Sequence, residues 1–254
     1  MSDTPAAATA AQPSRHVTTA TVRASPAGRS GSGRRVAGVL AVGATSLTAL
    51  LILLGLGLTH LSDAGVLRRW DRFVDQWLAG HRSGGLDTLT RFGSGIANTQ
   101  TAIVVGVAAF LLLRWWLGRW YESWVLAVAL AGELVVFLAV TAAVHRPRPD
   151  VPRLDQAPPT SSFPSGHTAA AVALYGCLAV LLLRYAASRL GILAAVLLWL
   201  VPVAVAASRL YRGMHYPSDV LAGALGGGLW LLIVVHTMLP THAASTQPPE
   251  RSPT

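Results

Sequence analysis

The sequence predicts an all-α protein that crosses a membrane six times as a helical bundle. Composition is the first observation: of 254 residues, 52% are hydrophobic and 12% are charged, whereas a soluble domain carries about 25% charged residues. The second is a set of apolar segments near the ~20 residues that span a bilayer, which should be helical because backbone groups in lipid must pair within their own segment. These segments are residues 36–59, 96–113, 124–144, 168–183, 190–207 and 220–239.

The distribution of arginine is the third observation. All 20 basic residues are Arg, and the net charge is +9. Such charge can indicate nucleic-acid binding, but beside apolar segments it favours a membrane protein with basic cytoplasmic loops. The arginines of the N-terminal tail, of 114–119 and of 184–189 then lie on one side. This predicts that both termini are cytoplasmic and that loops 60–95, 145–167 and 208–219 face outward.

The chain outside the six segments divides into two tails and one long outer loop. Residues 1–35 and 241–254 are rich in small and polar residues, which predicts disordered cytoplasmic tails. Residues 36–240 form the predicted membrane domain. Within it, near 61–95, the spacing of apolar side chains predicts an amphipathic helix at the outer interface. Those side chains are Leu67, Trp70, Phe73, Val74 and Trp77.

A short polar motif, Pro164-Ser165-Gly166-His167, stands directly before the fourth segment. The start of a helix offers unpaired N–H groups to an anion. Gly166 allows close backbone approach, Ser165 offers a hydroxyl, and His167 can exchange a proton near neutral pH. An ordinary helix start with an exposed histidine explains the motif better when it is taken alone.

A second motif, from His215 to Asp219, opens the sixth segment. Asp219 follows His215 by four residues, near enough to hydrogen-bond one imidazole nitrogen and leave the other free to attack. The alternative is an acid that complements the helix dipole beside an interfacial histidine. The two interpretations are equally good for this motif alone.

Arginines accompany both motifs. Arg148 and Arg209 offer fork-shaped guanidinium groups that suit phosphate oxygens. Single arginines at membrane ends often only extend toward the interface, but that does not explain Arg146 and Arg148 between two prolines, shortly before a Ser-Gly-His.

In this order the motifs resemble the type 2 phosphatidic acid phosphatase (PAP2) family, over roughly residues 60–240. The resemblance implies a six-helix bundle with an outward-facing site that needs no metal and no cofactor. It implies that His215 is the nucleophile, that Asp219 orients it, and that His167 transfers the proton. Phosphate oxygens would then be held by Arg148, Arg209, Ser165 and Gly166.

One position departs from the family pattern. The family places a Lys seven residues before the Arg of the first motif, and here that position is Thr141. Because the chain has no Lys, no shifted alignment restores it. Thr141 keeps a hydroxyl but no charge, and Arg146 is the candidate for compensation, with an interfacial surface role as the alternative.

Together these features predict a metal-independent phosphatase acting on a membrane lipid phosphate or diphosphate. Undecaprenyl diphosphate, phosphatidic acid and phosphatidylglycerophosphate are the candidates, and the bilayer rather than nucleic acid is the partner. The alternatives are a phosphotransferase and a weakened lipid-phosphate-binding protein. The resemblance implies a bacterial cytoplasmic membrane.

Two further features of the spans have alternative interpretations. Glu133 lies inside the third segment. An acid at such a position is a functional candidate by default; the alternative is a buried residue that hydrogen-bonds to a neighbouring helix. Gly223 and Gly227 form a G-x-x-x-G pair, which indicates close helix packing within the bundle or dimerisation.

Overall fold

The structure is a computed structural model that describes residues 26–60, 65–186 and 188–239, and these ranges contain helices and loops but no strand. A π-helical turn, Val172–Gly176, joins α6 to α7. The helices are α1 (Pro26–His60), α2 (Val66–Gly80), α3 (Gly84–Gly95), α4 (Thr99–Leu117), α5 (Tyr121–Ala143), α6 (Gly166–Ala171), α7 (Cys177–Tyr185), α8 (Arg189–Tyr211) and α9 (Pro217–Met238).

Six stretches of the described chain are long and apolar enough to cross a membrane. They are Gly33–His60, Thr99–Leu117, Tyr121–Ala143, Gly166–Tyr185, Arg189–Tyr211 and Pro217–Met238. The predicted class, an all-α polytopic membrane protein with six spans, is therefore confirmed. The largest differences from the predicted ends are at Leu117 and Tyr211, against predicted ends at 113 and 207.

Local sequence determines several helix ends. Asn98 caps α4, its side chain accepting a hydrogen bond from Thr101 N at 2.8 Å, and Ser188 caps α8 by accepting from Gly191 N at 3.1 Å. Gly118 ends α4 with a φ of 68°, a left-handed conformation that glycine adopts without steric cost. Capping residues thus determine where these helices begin and end.

The N-terminal boundary differs from the prediction. Helix α1 begins at Pro26, so the predicted disorder is wrong for residues 26–35. Extending a formed helix by one residue costs far less than nucleating one, and the apolar segment that follows supplies the nucleus. The predictions for residues 1–25 and 241–254 lie outside the described residues.

The segment near 61–95, which was predicted to be an outer loop, contains two helices, α2 and α3, instead of one amphipathic segment; residues 61–64 are not among those described. The expected apolar face of α2 is exposed, with Phe73 65% and Trp77 51% accessible. Its opposite face, which carries Asp71 and Asp75, is buried against α8 and α9. The helix therefore turns acids inward and aromatic rings outward.

Close helix packing surrounds α9, which contacts α1, α5 and α6. A Cβ on Gly223 would lie 2.4 Å from the carbonyl oxygen of Ser165, and one on Gly227 would lie 2.7 Å from that of Ala169. The G-x-x-x-G pair therefore packs against α6 and the residue before it within the bundle, as the first of its two interpretations stated. This contact holds the start of α6 against the start of α9.

Candidate active site

Two loops at one end of the bundle, residues 144–165 and 212–216, are joined to each other and to the start of α9 by backbone hydrogen bonds. Ser162 N donates to Arg146 O at 3.0 Å, Leu154 N donates to Arg212 O at 3.1 Å, and Ser165 N donates to Asp219 O at 3.0 Å. These bonds connect the segments that carry the three motifs. The convergence predicted from topology is therefore present in the structure.

A cavity of about 580 Å³ opens where these loops meet. Five of the predicted site residues line it: Arg148, Gly166, His167, Arg209 and His215. The other four, Thr141, Arg146, Ser165 and Asp219, do not line it. The two groups play different parts in the geometry.

His215 is buried in the loop between α8 and α9 and lines the cavity. Its Nδ1 lies 2.7 Å from the carbonyl oxygen of Ser162, which can only accept, so Nδ1 carries the proton and Nε2 carries the free lone pair. Burial, followed by the positive charges of Arg209 and Arg148, lowers the pKa of His215 well below its ordinary value. The ring is therefore neutral, as a nucleophile must be.

Asp219 does not contact that ring, which corrects the expected His215–Asp219 hydrogen bond. Its carboxylate instead accepts from the backbone N of Tyr216 at 3.0 Å and from Arg146 Nη1. The reason lies in the helix start: Asp219 is the third residue of α9, and its side chain folds back over the first turn. The Ser162 carbonyl takes the position at Nδ1 that the spacing assigned to Asp219.

Arg146 is buried behind the cavity and does not face it, so it is neither a phosphate ligand nor an interfacial surface residue. Besides Asp219, it donates to Ser218 Oγ and to Asp71 Oδ2, both at 2.8 Å. The guanidinium carbon lies 4.4 Å from the ring centre of Tyr216. Two carboxylates neutralise this cation, so it cannot replace the missing Lys charge.

Asp71 and Asp75 of α2 complete the buried cluster and were not predicted as site residues. Asp71 accepts from Ser218 N at 3.0 Å, whereas neither carboxylate oxygen of Asp75 has a hydrogen-bond partner among the described residues. Burial raises the pKa of Asp75 to about 8, and the negative charges of Asp71 and Asp219 add to this. In the sequence, the only indication that Asp71 and Asp75 lie together was their spacing of four residues, which places both on one face of α2.

Arg148 and Arg209 keep donors free for a ligand. Arg148 donates to Met214 O at 2.8 Å, and Arg209 donates to Ser94 Oγ at 2.8 Å and Asp155 Oδ2 at 3.1 Å. The Nε of each is buried and has no partner among the described residues. Because an unpaired buried donor is costly, these two groups favour an anion between them.

Asp155 is a further site residue that the sequence reasoning missed. Arg212 forms a bidentate pair of hydrogen bonds with Asp155, donating from Nε at 2.8 Å and from Nη2 at 2.7 Å. Although burial opposes it, the hydrogen bonds from Arg212 hold the pKa of Asp155 below its ordinary value. The ionised carboxylate of Asp155 holds Arg209 in place. In the sequence, Asp155 is distinguished only as an acid that lies between two arginine-containing motifs.

The motif before α6 divides between the cavity and the interior. His167 lines the cavity, and Gly166 is needed because a Cβ there would lie 2.7 Å from Phe137 Cε2. Ser165 is fully buried, with its hydroxyl 3.0 Å from Thr168 Oγ1. The predicted phosphate contact of the Ser165 side chain is therefore not supported, since the hydroxyl is engaged away from the cavity.

Thr141 lies in the last turn of α5. Its Oγ1 is buried without a hydrogen-bond partner among the described residues, and the residue does not line the cavity. The predicted hydrogen bond from Thr141 to phosphate is therefore absent from this geometry. Charge at the cavity mouth comes from Arg148 and Arg209 alone among the predicted arginines.

The cavity continues from this polar mouth into an apolar groove between α4 and α5. Ile103 and Val107, 60% and 55% accessible, stand on α4 at its open side, and Leu130 and Leu134 line it from α5. A polar mouth joined to an apolar groove suits an amphipathic molecule. Within the described ranges, no group of three His, Cys, Asp or Glu side chains could hold a metal ion.

A six-span bundle with a neutral histidine and two arginines at the mouth of a lipid-sized groove defines a membrane phosphatase. A family model described as the PAP2 superfamily matches residues 120–242, so this part of the chain is similar to the PAP2 superfamily. The family resemblance predicted from the motifs is thereby confirmed.

Two solved structures share the fold. One is the PAP2-type phosphatidylglycerolphosphate phosphatase from Bacillus subtilis, with a TM-score of 0.66 and 20% identity over 75% of this chain and 93% of that chain. The other is LpxE from Aquifex aeolicus, with a TM-score of 0.52 and 22% identity over 68% of this chain and 96% of that chain. No curated protein matches the sequence.

Proposed function

We propose that this protein removes phosphate from a membrane lipid phosphate or diphosphate through a phosphohistidine on His215, without a metal ion. The observation that carries the proposal is the continuous cavity, which joins His215, His167 and two arginines to an apolar groove. A lipid chain fits the groove while its phosphate reaches the mouth.

In the first step, Nε2 of His215 attacks phosphorus and the bond from phosphorus to the lipid oxygen breaks. His167, on the same cavity wall, gives its proton to the departing alkoxide. The charge on the phosphoryl oxygens is stabilised by Arg148 and Arg209, which line the cavity. Positioning and fixed charge are what phosphoryl transfer chiefly requires.

In the second step, His167 has become neutral and takes a proton from water. The resulting hydroxide attacks phosphorus, the phosphorus–nitrogen bond breaks, and inorganic phosphate leaves. His215 returns to its starting state because Nδ1 keeps its proton throughout and donates it in a hydrogen bond to the carbonyl oxygen of Ser162.

Asp219 serves this cycle as a positioning residue. Its carbonyl accepts from Ser165 N at 3.0 Å, and its carboxylate holds the Tyr216 backbone and Arg146. It thereby ties the loop that carries His167 to the loop that carries His215. Its negative charge also offsets Arg146 next to the nucleophile.

One of the two structural relatives is named for a lipid substrate, phosphatidylglycerolphosphate. Phosphatidylglycerophosphate, phosphatidic acid and undecaprenyl diphosphate are the proposed candidates. The arginine pattern supports an orientation with both termini inside and the site on the outer face. The six-span form and the resemblance to PAP2 proteins support a bacterial cytoplasmic membrane.

The test is phosphate release from each of the three lipids by purified protein in the presence of a chelator. Wild-type protein should release phosphate, and His215→Ala should lower the rate at least ~10³-fold, since removing a nucleophile removes the covalent route. Undiminished release by the variant would contradict the phosphohistidine. Loss of activity in chelator that only added metal restores would contradict metal independence.

A further inference from the structure

Glu133 is an acid in the middle of the third membrane span that has no partner among the residues that the structure describes. It is 7% accessible and lines the cavity that reaches His215. No hydrogen bond or ion pair of Glu133 exists within the described ranges. The hydrogen-bonded helix contact considered for it is therefore wrong, and a polar group in hydrocarbon without a partner is costly.

The position of Glu133 relative to the phosphate site follows from its neighbour on the helix. Phe137 marks the level of the site, because it packs against Gly166. Glu133 precedes it by one turn on the same face, about 6 Å deeper along the axis. Both side chains line the cavity, so the carboxyl faces a bound lipid just below its phosphate.

We infer that Glu133 selects phosphatidic acid by hydrogen-bonding an ester carbonyl of the substrate; this rests on the proposed function. In phosphatidic acid the ester carbonyls stand a few covalent bonds from phosphorus, at the depth that Glu133 reaches. The polyprenyl chain of undecaprenyl diphosphate is hydrocarbon at that depth and leaves the carboxyl unpaired. An ion without a counter-ion is disfavoured in the span, so the protonated carboxyl is the donor.

A rejection of the wrong lipid follows from the same contact. A site built to hydrogen-bond a substrate group discriminates against an analogue without it, because the protein group is then left unpaired. Glu133 thus separates phosphatidic acid from undecaprenyl diphosphate, and also from phosphatidylglycerophosphate, in which a second glycerol and a second phosphate stand between the terminal phosphate and the ester carbonyls.

The experiment compares phosphatidic acid with its diether analogue of equal chain length, which lacks both carbonyls. Glu133→Leu should raise KM for the diester about 3- to 10-fold, the size of one hydrogen bond. It should leave kcat unchanged and leave KM for the diether the same or lower, because no unpaired carboxyl remains. Glu133→Gln keeps a donor and should stay near wild type. The matched control is Leu134→Ala, a neighbouring groove residue, which should weaken both lipids equally.

Binding separates this inference from the proposed function. Affinities of the same two lipids are measured in a His215→Ala background, where no turnover is needed, and the diester should bind more tightly only while the native Glu133 or its Gln replacement is present. If the His215→Ala protein binds both lipids with equal affinity, Glu133 has no selective role, and this result does not depend on how well Glu133→Leu folds. If Glu133→Leu weakens the binding of both lipids equally, the role of Glu133 is overturned as well. Failure of unsubstituted protein to release phosphate from either lipid overturns the proposed function instead.

Discussion

At the scale of single residues, the partner of His215 determines how the proposed nucleophile works. A backbone carbonyl fixes the tautomer through Nδ1 but brings no negative charge to the ring. The imidazolium is therefore poorly stabilised between Arg148 and Arg209, and the neutral ring is favoured. This arrangement keeps the attacking nitrogen available at acidic pH.

The pH profile of kcat/KM tests this charge balance. Below its pKa His215 is protonated and cannot attack, so the acid limb follows that pKa. Burial, followed by the charges of Arg209 and Arg148, lowers the pKa of His215. Arg148→Gln removes one of these charges, so it should raise the pKa of His215 and move the acid limb to higher pH. The same variant should lower the maximal rate about 10²-fold.

The control for that profile is Arg153→Gln, an exposed arginine that does not line the cavity. It should leave both the acid limb and the rate unchanged. An acid limb that stays in place in Arg148→Gln would show that Arg148 does not govern the protonation of His215.

The limits of sequence reasoning are clearest among the site residues. Arg148, Arg209, His167 and His215 were predicted to face one ligand, and they line one cavity. Ser165, Arg146 and Asp219 belong to the same motifs but point behind it. Spacing along the chain does not encode the direction of a side chain when backbone carbonyls such as that of Ser162 compete for the same partners.

At the scale of helices, the contact between α6 and α9 aligns the two proposed catalytic loops. Gly223 leaves no room for a side chain beside the backbone of Ser165. In the same helix, a Cβ added to Gly228 would meet nothing within 4 Å. The two glycines therefore form a natural pair for testing close packing.

Gly223→Ala should destabilise the protein by about 1–3 kcal/mol, because the backbone must move to relieve the overlap, and should lower phosphate release at least ~10-fold through the displaced start of α6. Gly228→Ala should be neutral or stabilising, since alanine favours a helix by about 1 kcal/mol. Thermal unfolding in detergent and the initial rate are the measurements. Equal effects of the two substitutions would refute the packing role.

Element boundaries followed hydropathy closely, and the exceptions have physical causes. The caps Asn98 and Ser188 start α4 at Thr99 and α8 at Arg189, where hydropathy alone predicted starts at 96 and 190. The inward face of α2 was missed because Asp71 and Asp75 are buried by pairing and neutralisation with Arg146 and its neighbours, a tertiary effect. An isolated amphipathic pattern cannot indicate which of its faces the protein covers.

At the scale of the whole molecule, the proposed orientation predicts which loops face outward. The single Cys177 is fully buried, so the natural chain should give little background with a membrane-impermeant maleimide. Arg153→Cys in the motif loop should be labelled on intact cells, whereas Arg189→Cys, at the start of α8, should be labelled only after permeabilisation. The reverse pattern would place the site in the cytoplasm.

The overall architecture was predictable because six apolar segments and fixed loop sides leave few arrangements of a bundle. The groove between α4 and α5 was not predictable, since its lining residues such as Ile103 and Leu130 look like any lipid-facing side chains. Its existence depends on how far apart the two helices stand at one end. That distance is set by packing across the entire bundle.

The buried cluster of Arg146, Asp71, Ser218 and Asp219 has a consequence for biosynthesis. Asp71 and Ser218 are 147 positions apart in the chain, so their contact joins a segment made early to one made late. Domains are completed only when their distant contacts form. The cavity mouth therefore acquires its final shape only after the sixth span has entered the bilayer, and a nascent chain with five spans has no aligned histidine.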